Sequence, residues 1–222
     1  MGELAVTQIE RDVAPAPLGL RARNKADKLQ RIRQAALELF TEKGYDDTTT
    51  REIARRADVG LGTLFSYARD KRDLLFLIFN PEIEEVCAAG ARAANEEKRF
   101  LDQLVAFFAS YYRFFARQPT LSRFMLRELA FYAEGKEVAR YRAGRDRLLA
   151  VLAELVTRAR ADGRLGTGED ATMIAQALFA LYAAELRGWI GADAPDLEAG
   201  LARLKRMLAL QIRGLEPRAG AF

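Results

Sequence analysis

The stretch TTREIARRADVGLGTLFSYARDKRDLL, residues 49–75, decides how this chain folds. Thr49 stands where a helix N-cap belongs, and Glu52 follows three residues on, the spacing of a reciprocal capping box. Ile53, Ala54 and Ala57 give this helix an inner face, and the Val59–Gly60 pair ends it. A second short helix begins near Leu61, behind Gly60 and Gly62. It carries two rings, Phe65 and Tyr67, before the chain reaches Lys71. A core helix would bury such rings, and a surface helix rarely carries them. Two short helices joined by a Gly-containing turn form a helix-turn-helix. In that motif the second helix lies in the DNA major groove and the first crosses the backbone. Phe65 and Tyr67 then need no protein cover. Gly60 and Gly62 allow close approach to a phosphate, and the free N–H groups of the helix start favour an anion. A tyrosine hydroxyl can bond a phosphate oxygen, and Lys71 can pair with one as a point charge.

Upstream, Leu29, Ile32, Ala36, Leu39 and Phe40 recur at helical spacing from Asp27, and Gly44 sits at the C-terminal cap position. Residues 1–20, with Pro15, Pro17 and Gly19, have no sustained period and read as a tail. Downstream, Leu74, Leu75, Ile78, Ile83, Val86 and Cys87 predict a longer helix that Pro81 should kink, or split at Asn80. Residues 100–117 are apolar nearly all round, which predicts a helix buried on several sides. Further helices are expected over about 121–133, from Val138 to beyond Ala159, over 169–190 and over 196–213. No segment shows strand alternation, and no repeat is present. The expected fold is all-α, with about nine helices: a tail over 1–20, a helix-turn-helix domain over 21–72, a larger domain over 73–215, and a short tail over 216–222.

Composition narrows the chemistry. The chain has 222 residues, half of them hydrophobic and 30% charged, enough to build a core. A single cysteine, Cys87, excludes an internal disulfide framework and fits a reducing, cytoplasmic setting. With no histidine, the usual zinc ligand sets and a Ser-His-Asp centre are unavailable. The first residues, MGELAVTQIERD, do not have the build of a secretory signal. The longest apolar run, 177–184, is far below the roughly 20 residues of a membrane span. No cofactor and no membrane partner are expected. The net charge of +4 is unevenly spread: residues 21–72 hold 13 Lys/Arg against 8 Asp/Glu, and the rest of the chain is close to neutral. Such a segment suits a polyanion, or is simply a solvated basic face.

Residues 49–75 also resemble the signature of the TetR/AcrR family of transcriptional regulators, roughly T-x-x-x-I-A-x-x-A-G-V-S-x-G-T-x-Y-x-Y-F-x-x-K-x-x-L. Ile53, Ala54, Ala57, Val59, Gly62, Thr63, Tyr67, Lys71 and Leu74 fall in register, and AALELFTEKGYDDTTT upstream resembles the family's first helix and loop. Four positions depart from the pattern. Asp58 replaces the turn glycine, a place where Asp tolerates a left-handed backbone. Gly60 stands for an N-capping serine, Phe65 for a tyrosine, and Ala68 for an aromatic that packs inward. The resemblance implies that Thr49 caps the backbone-crossing helix and faces phosphate, and that Arg51 can reach a base edge. It implies that Gly62, Thr63, Phe65 and Tyr67 meet the operator, with Lys71 on a phosphate. Arg21, Arg23, Lys25 and Lys28 are expected as a basic arm along the backbone or in the minor groove.

For the remaining two thirds, the resemblance implies a homodimer held by the last two helices and a small-molecule effector inside the larger domain. The stripe Leu197, Leu201, Leu204, Leu208, Ile212 is the candidate dimer face, or else completes the monomer core. Gly188 and Gly200 would allow close helix approach. The candidate pocket comprises Phe108, Tyr111, Phe124, Phe131 and Tyr182, with Arg127 and Glu185 as polar groups that orient a ligand in an apolar cavity. Arg127 and Glu185 fit a buried pair or a dimer salt bridge equally well. The implied function is a ligand-responsive regulator, more a repressor than an activator, on an inverted-repeat double-stranded operator, released by a mainly apolar or aromatic effector. The alternative is a DNA-binding protein of the same build with a non-transcriptional or protein-partner role. An all-α enzyme using carboxylates such as Glu128 and Glu185 has no motif in its support.

Overall fold

A computed structural model describes residues 19–214, and all of its regular structure is helical. The expected tails therefore lie outside the described residues, apart from Gly19 and Leu20. Nine helices follow in order: α1 (Leu20–Glu42), α2 (Thr50–Arg56), α3 (Leu61–Tyr67), α4 (Lys71–Glu96), α5 (Phe100–Ala116), α6 (Pro119–Leu129), α7 (Val138–Ala161), α8 (Ala171–Ile190) and α9 (Leu197–Gly214).

Helix α1 starts seven residues before the apolar period does. Its first turns are exposed and carry no apolar stripe. Arg, Ala, Lys and Leu there favour helix without burying anything, so the expected basic arm is a helical extension. The stripe Ile32, Ala35, Ala36, Leu39 and Phe40 buries the second half, and Gly44, at φ +87°, takes the chain out of the helix. The capping box on α2 forms as spaced. Thr49 Oγ1 accepts from the Glu52 N–H at 3.2 Å, and the Thr49 N–H donates to Glu52 at 2.9 Å. Asp58 adopts φ +51° in the turn to α3, the left-handed conformation expected there. Within α3 only Leu64 is buried, so one side chain plugs this short helix onto the head.

Of the kink or split expected at Pro81, the split does not occur: α4 runs as one helix through it, and Asp70 caps it by accepting from the Asp73 N–H at 2.8 Å. Residues 73–80 are all buried, because the head covers one side of α4 and the body the others. Helix α5 forms the centre of the body, with Leu104, Phe107, Phe108, Tyr111, Tyr112, Phe114 and Phe115 inside, and packs against α4, α7, α8 and α9. Gly90 lets α4 and α5 approach: a Cβ there would lie 2.8 Å from the Phe107 carbonyl. Gly200 does the same between α9 and α8, where a Cβ would meet Trp189 at 2.5 Å. Gly188 faces open space instead. Leu204 and Leu208, expected at a dimer face, are fully buried within the chain, while Leu197 and Leu201 are half-buried. Leu204 and Leu208 are thus core, because α9 seats on α5 and α8.

Candidate nucleic-acid interface and effector cavity

The head presents α3 to solvent. Gly62 and Phe65 are exposed, with Thr63 and Tyr67 beside them half-buried. Arg51 and Thr49 lie exposed on and before α2, and Lys28 lies exposed on α1. Among the described residues, Lys28, Arg51 and Arg55 have no carboxylate within ion-pair distance. Arg21, Arg23, Lys25 and Arg33 on α1 have none either, Arg33 donating to the Ile78 carbonyl at 3.3 Å, whereas Arg31, Lys43 and Arg56 are tied to Asp27 and Asp58, to Glu52, and to Glu38 and Glu42. Arg55 did not stand out in the sequence, and what singles it out is this pairing pattern. Lys43 and the two Thr49 groups draw the Glu52 carboxyl down to about 2.

Two expected phosphate ligands are engaged with protein. Lys71 donates to the carbonyls of Tyr45 at 2.8 Å and Asp46 at 2.9 Å, and its ammonium sits 4.7 Å from the centre of the Tyr45 ring. It clamps the α1–α2 loop to the start of α4. The Tyr67 hydroxyl donates to the Lys25 carbonyl at 3.2 Å, bracing the helical extension of α1 against α3. Its oxygen keeps lone pairs as an acceptor.

Inside the body, α4 to α8 enclose a cavity of about 90 Å³. Its wall is apolar: Ile83, Phe115, Met125, Leu129, Leu148 and Phe179 are typical. Tyr111 and Tyr182 line it as expected, and burial holds both phenols well above their ordinary pKa, so they stay neutral. Arg140, Arg145 and Arg187 also line it and are solvent-exposed, which puts them at its mouth. Arg140 is bound bidentately by Glu84 at 2.9 Å, and among the described residues Arg145 meets only the carboxylate of its neighbour Asp146, at 3.5 Å. Arg187 has no carboxylate within ion-pair distance among the described residues.

The remaining expected pocket residues lie elsewhere. Phe108 is buried in the core and stacks on Tyr182 at 4.3 Å. Phe131 is 86% exposed, in the turn after α6. Arg127 bonds Asp46 at 2.9 Å and covers the Phe124 ring, so both sit at the junction of head and body. Glu185 pairs with Arg203 on α9 at 2.6 Å. Polar residues on apolar helices here serve as ties between helices, because each has an opposite charge on the facing element. Arg145 and Arg187 escaped the sequence reading because nothing local says that their two helices share one cavity.

A buried three-helix head with an exposed recognition helix, joined to a helical body, defines a helix-turn-helix DNA-binding protein. Residues 32–78 match the family model described as "Bacterial regulatory proteins, tetR family". A curated relative, the HTH-type transcriptional repressor KstR of Mycolicibacterium smegmatis, is 28% identical over 184 residues, which span 82% of this chain and 87% of that one. Among solved structures, Thermus thermophilus FadR, described as a TetR-family transcriptional repressor in complex with lauroyl-CoA, superposes with a TM-score of 0.67 at 26% identity, covering 87% of this chain and 98% of that one. Bacillus subtilis FadR, in complex with stearoyl-CoA, shares the fold at 20% identity, with a TM-score of 0.64 and coverage of 83% and 98%. The match to the TetR family of bacterial transcriptional regulators lies in the head, residues 32–78, and the likeness to the repressor relatives extends over most of the chain. Among the described residues, no helix is long and apolar enough to cross a membrane.

Proposed function

We propose that this protein is a transcriptional repressor that binds an inverted-repeat operator as a homodimer and is released by an effector with an apolar chain and an anionic head. The observation that carries this reading is the cavity: apolar walls inside, and arginines without strong partners at the mouth. Apolar walls take a hydrocarbon or aromatic chain by burial. Arg145 and Arg187 suit a carboxylate or phosphate through charge-assisted bonds. The lauroyl-CoA in the Thermus relative has this chemistry, and the KstR relative supports the repressor role.

The dimer face proposed here is the outer side of α8. Met173, Ala177, Ala180, Ala184 and Gly188 fall on one face at spacings of three and four, all exposed, and Leu210 on α9 is 58% exposed. Two copies joined there would present two recognition helices to an inverted repeat. Ala184→Arg should yield a monomer by sedimentation and abolish tight operator binding, since both half-sites are needed together.

The effector reading is tested with lauroyl-CoA, dodecanoate and coenzyme A alone, against a duplex that the protein has selected from a random pool. The acyl thioester is expected to raise the melting temperature and release the duplex, and coenzyme A alone to do neither. If no chain-bearing compound moves either readout, the cavity is plain packing space.

A further inference from the structure

The turn between α6 and α7 reaches away from the cavity and onto the recognition helix. Its anchor is Asp73, a fully buried carboxylate in the first turn of α4. Asp73 accepts from the backbone N–H groups of Arg69 at 2.8 Å, Lys136 at 2.9 Å and Glu137 at 3.0 Å, and from the Tyr132 hydroxyl. Burial alone would raise its pKa, yet these four donors outweigh burial and keep the carboxyl below its ordinary range. Gly135, at φ +151°, passes so close that a Cβ would stand 2.6 Å from Asp73 Oδ1. The Tyr132 ring stacks on Phe76 at 3.8 Å. Two contacts then leave this anchor for the head. Glu134 takes Arg69 at 2.7 Å, and Lys136 Nζ donates to the carbonyl of Phe65 at 2.5 Å. Phe65 is in the last turn of α3, where carbonyls lack intrahelical partners. A lysine from the body thus caps the recognition helix of the head.

The same segment touches the cavity from its other side. Leu129 before it and Arg140 and Tyr141 after it line the wall. Asn80, also in the wall, donates to the backbone carbonyl of Glu137 at 3.2 Å and to its carboxylate at 2.9 Å. We propose that residues 130–137 are a strap by which the body positions the recognition helix, with Glu134 and Lys136 as positioning residues for operator binding and Asp73 as the fixed anchor. Operator reading then extends beyond residues 32–78 to a segment nearly sixty residues downstream. The strap's grip on α3 stands on this geometry alone; its control by a ligand rests on the proposed effector site. At about 90 Å³ the cavity is below the size that ligand pockets usually have. An effector must therefore part the wall helices, and two of them, α6 and α7, carry the ends of the strap.

The test separates positioning from charge. On charge alone, Lys136→Met should weaken binding to a selected duplex and Glu134→Gln should tighten it, because only phosphate attraction changes. If both residues hold α3 at one angle, the two variants shift operator affinity in the same direction, each by about threefold or more. Lys136→Arg, which still donates to the Phe65 carbonyl, should restore the wild-type value. Melting temperatures should stay within about 2 °C, since both side chains are at the surface. Opposite shifts that follow the charge, or no shift in either variant, overturn the strap. A wild-type chain that enriches no duplex overturns the regulator reading and the strap with it, whereas an enriched duplex bound equally by all variants overturns the strap alone.

Discussion

At the residue scale, the α2 capping box illustrates what a local signal can carry. Thr49 and Glu52 satisfy each other's backbone donors, and Lys43 adds a charge partner. Because the folded pKa of Glu52 lies below the ordinary carboxylate value, its support of α2 is complete above about pH 4.5 and is lost as pH falls towards 2. A carbon-detected NMR titration should place the Glu52 midpoint near 2. Thr49→Ala should move that midpoint up towards the ordinary range and lower stability by about 1 kcal/mol. An unchanged midpoint in Thr49→Ala would mean that Lys43 alone sets it. These features, with Asp58 in its left-handed turn and Gly44 behind α1, were legible because each depends only on neighbours within four residues. Lys71 and Tyr67 were less so: their types suit phosphate, but their partners, the carbonyls of Tyr45, Asp46 and Lys25, are distant in sequence.

At the scale of elements, legibility followed apolar period. The sequence pattern located α5, α7, α8 and α9 to within a few residues, because each carries a buried stripe. It put the start of α1 too late, since Leu20 to Lys28 bury nothing. It expected a kink or a split at Pro81, and the split does not occur, since α4 is buried over residues 73–80 and continues as one helix. Close contacts between helices also depend on pairs that no single segment specifies. Gly90→Ala should destabilise the protein by about 1–3 kcal/mol by forcing α4 from the Phe107 carbonyl, measured as urea unfolding. Leu204→Ala should cost about 2–5 kcal/mol whether or not the protein dimerises, because that side chain is core within one chain. A loss that vanishes on dilution would return Leu204 to the dimer face.

At the scale of the whole molecule, function depends on faces that meet only after folding. Tyr111 and Tyr182, expected at a ligand pocket, line the cavity, whereas Phe108 of the same expectation packs in the core. Arg127 and Glu185 were not distinguishable from ligand-orienting residues until their partners Asp46 and Arg203 came into place. The arginines at the cavity mouth lie on two helices about forty residues apart in sequence, and the tertiary fold alone brings them together. Arg187→Ala should weaken lauroyl-CoA binding about tenfold or more, in line with the loss of a charge-assisted bond, while leaving operator affinity without ligand unchanged. Isothermal titration on the full chain, paired with fluorescence anisotropy on the duplex, measures both. Equal affinity for the acyl thioester in wild type and variant would remove Arg187 from the site.

Trp189, which holds α8 against α9, gives the molecule a built-in optical gauge. It is the sole tryptophan of the sequence. Its indole N–H is bound to the Asp196 carbonyl at 2.7 Å, and its ring lies 4.7 Å from that of Tyr112. It stands two residues beyond Arg187 and one beyond Gly188, between the cavity wall and the outer side of α8. Excitation at the red edge of the absorption band therefore interrogates a single known place, with no background from other indoles. Emission wavelength and quenching by iodide will register any shift of α8 against α9, on the unlabelled protein and in real time.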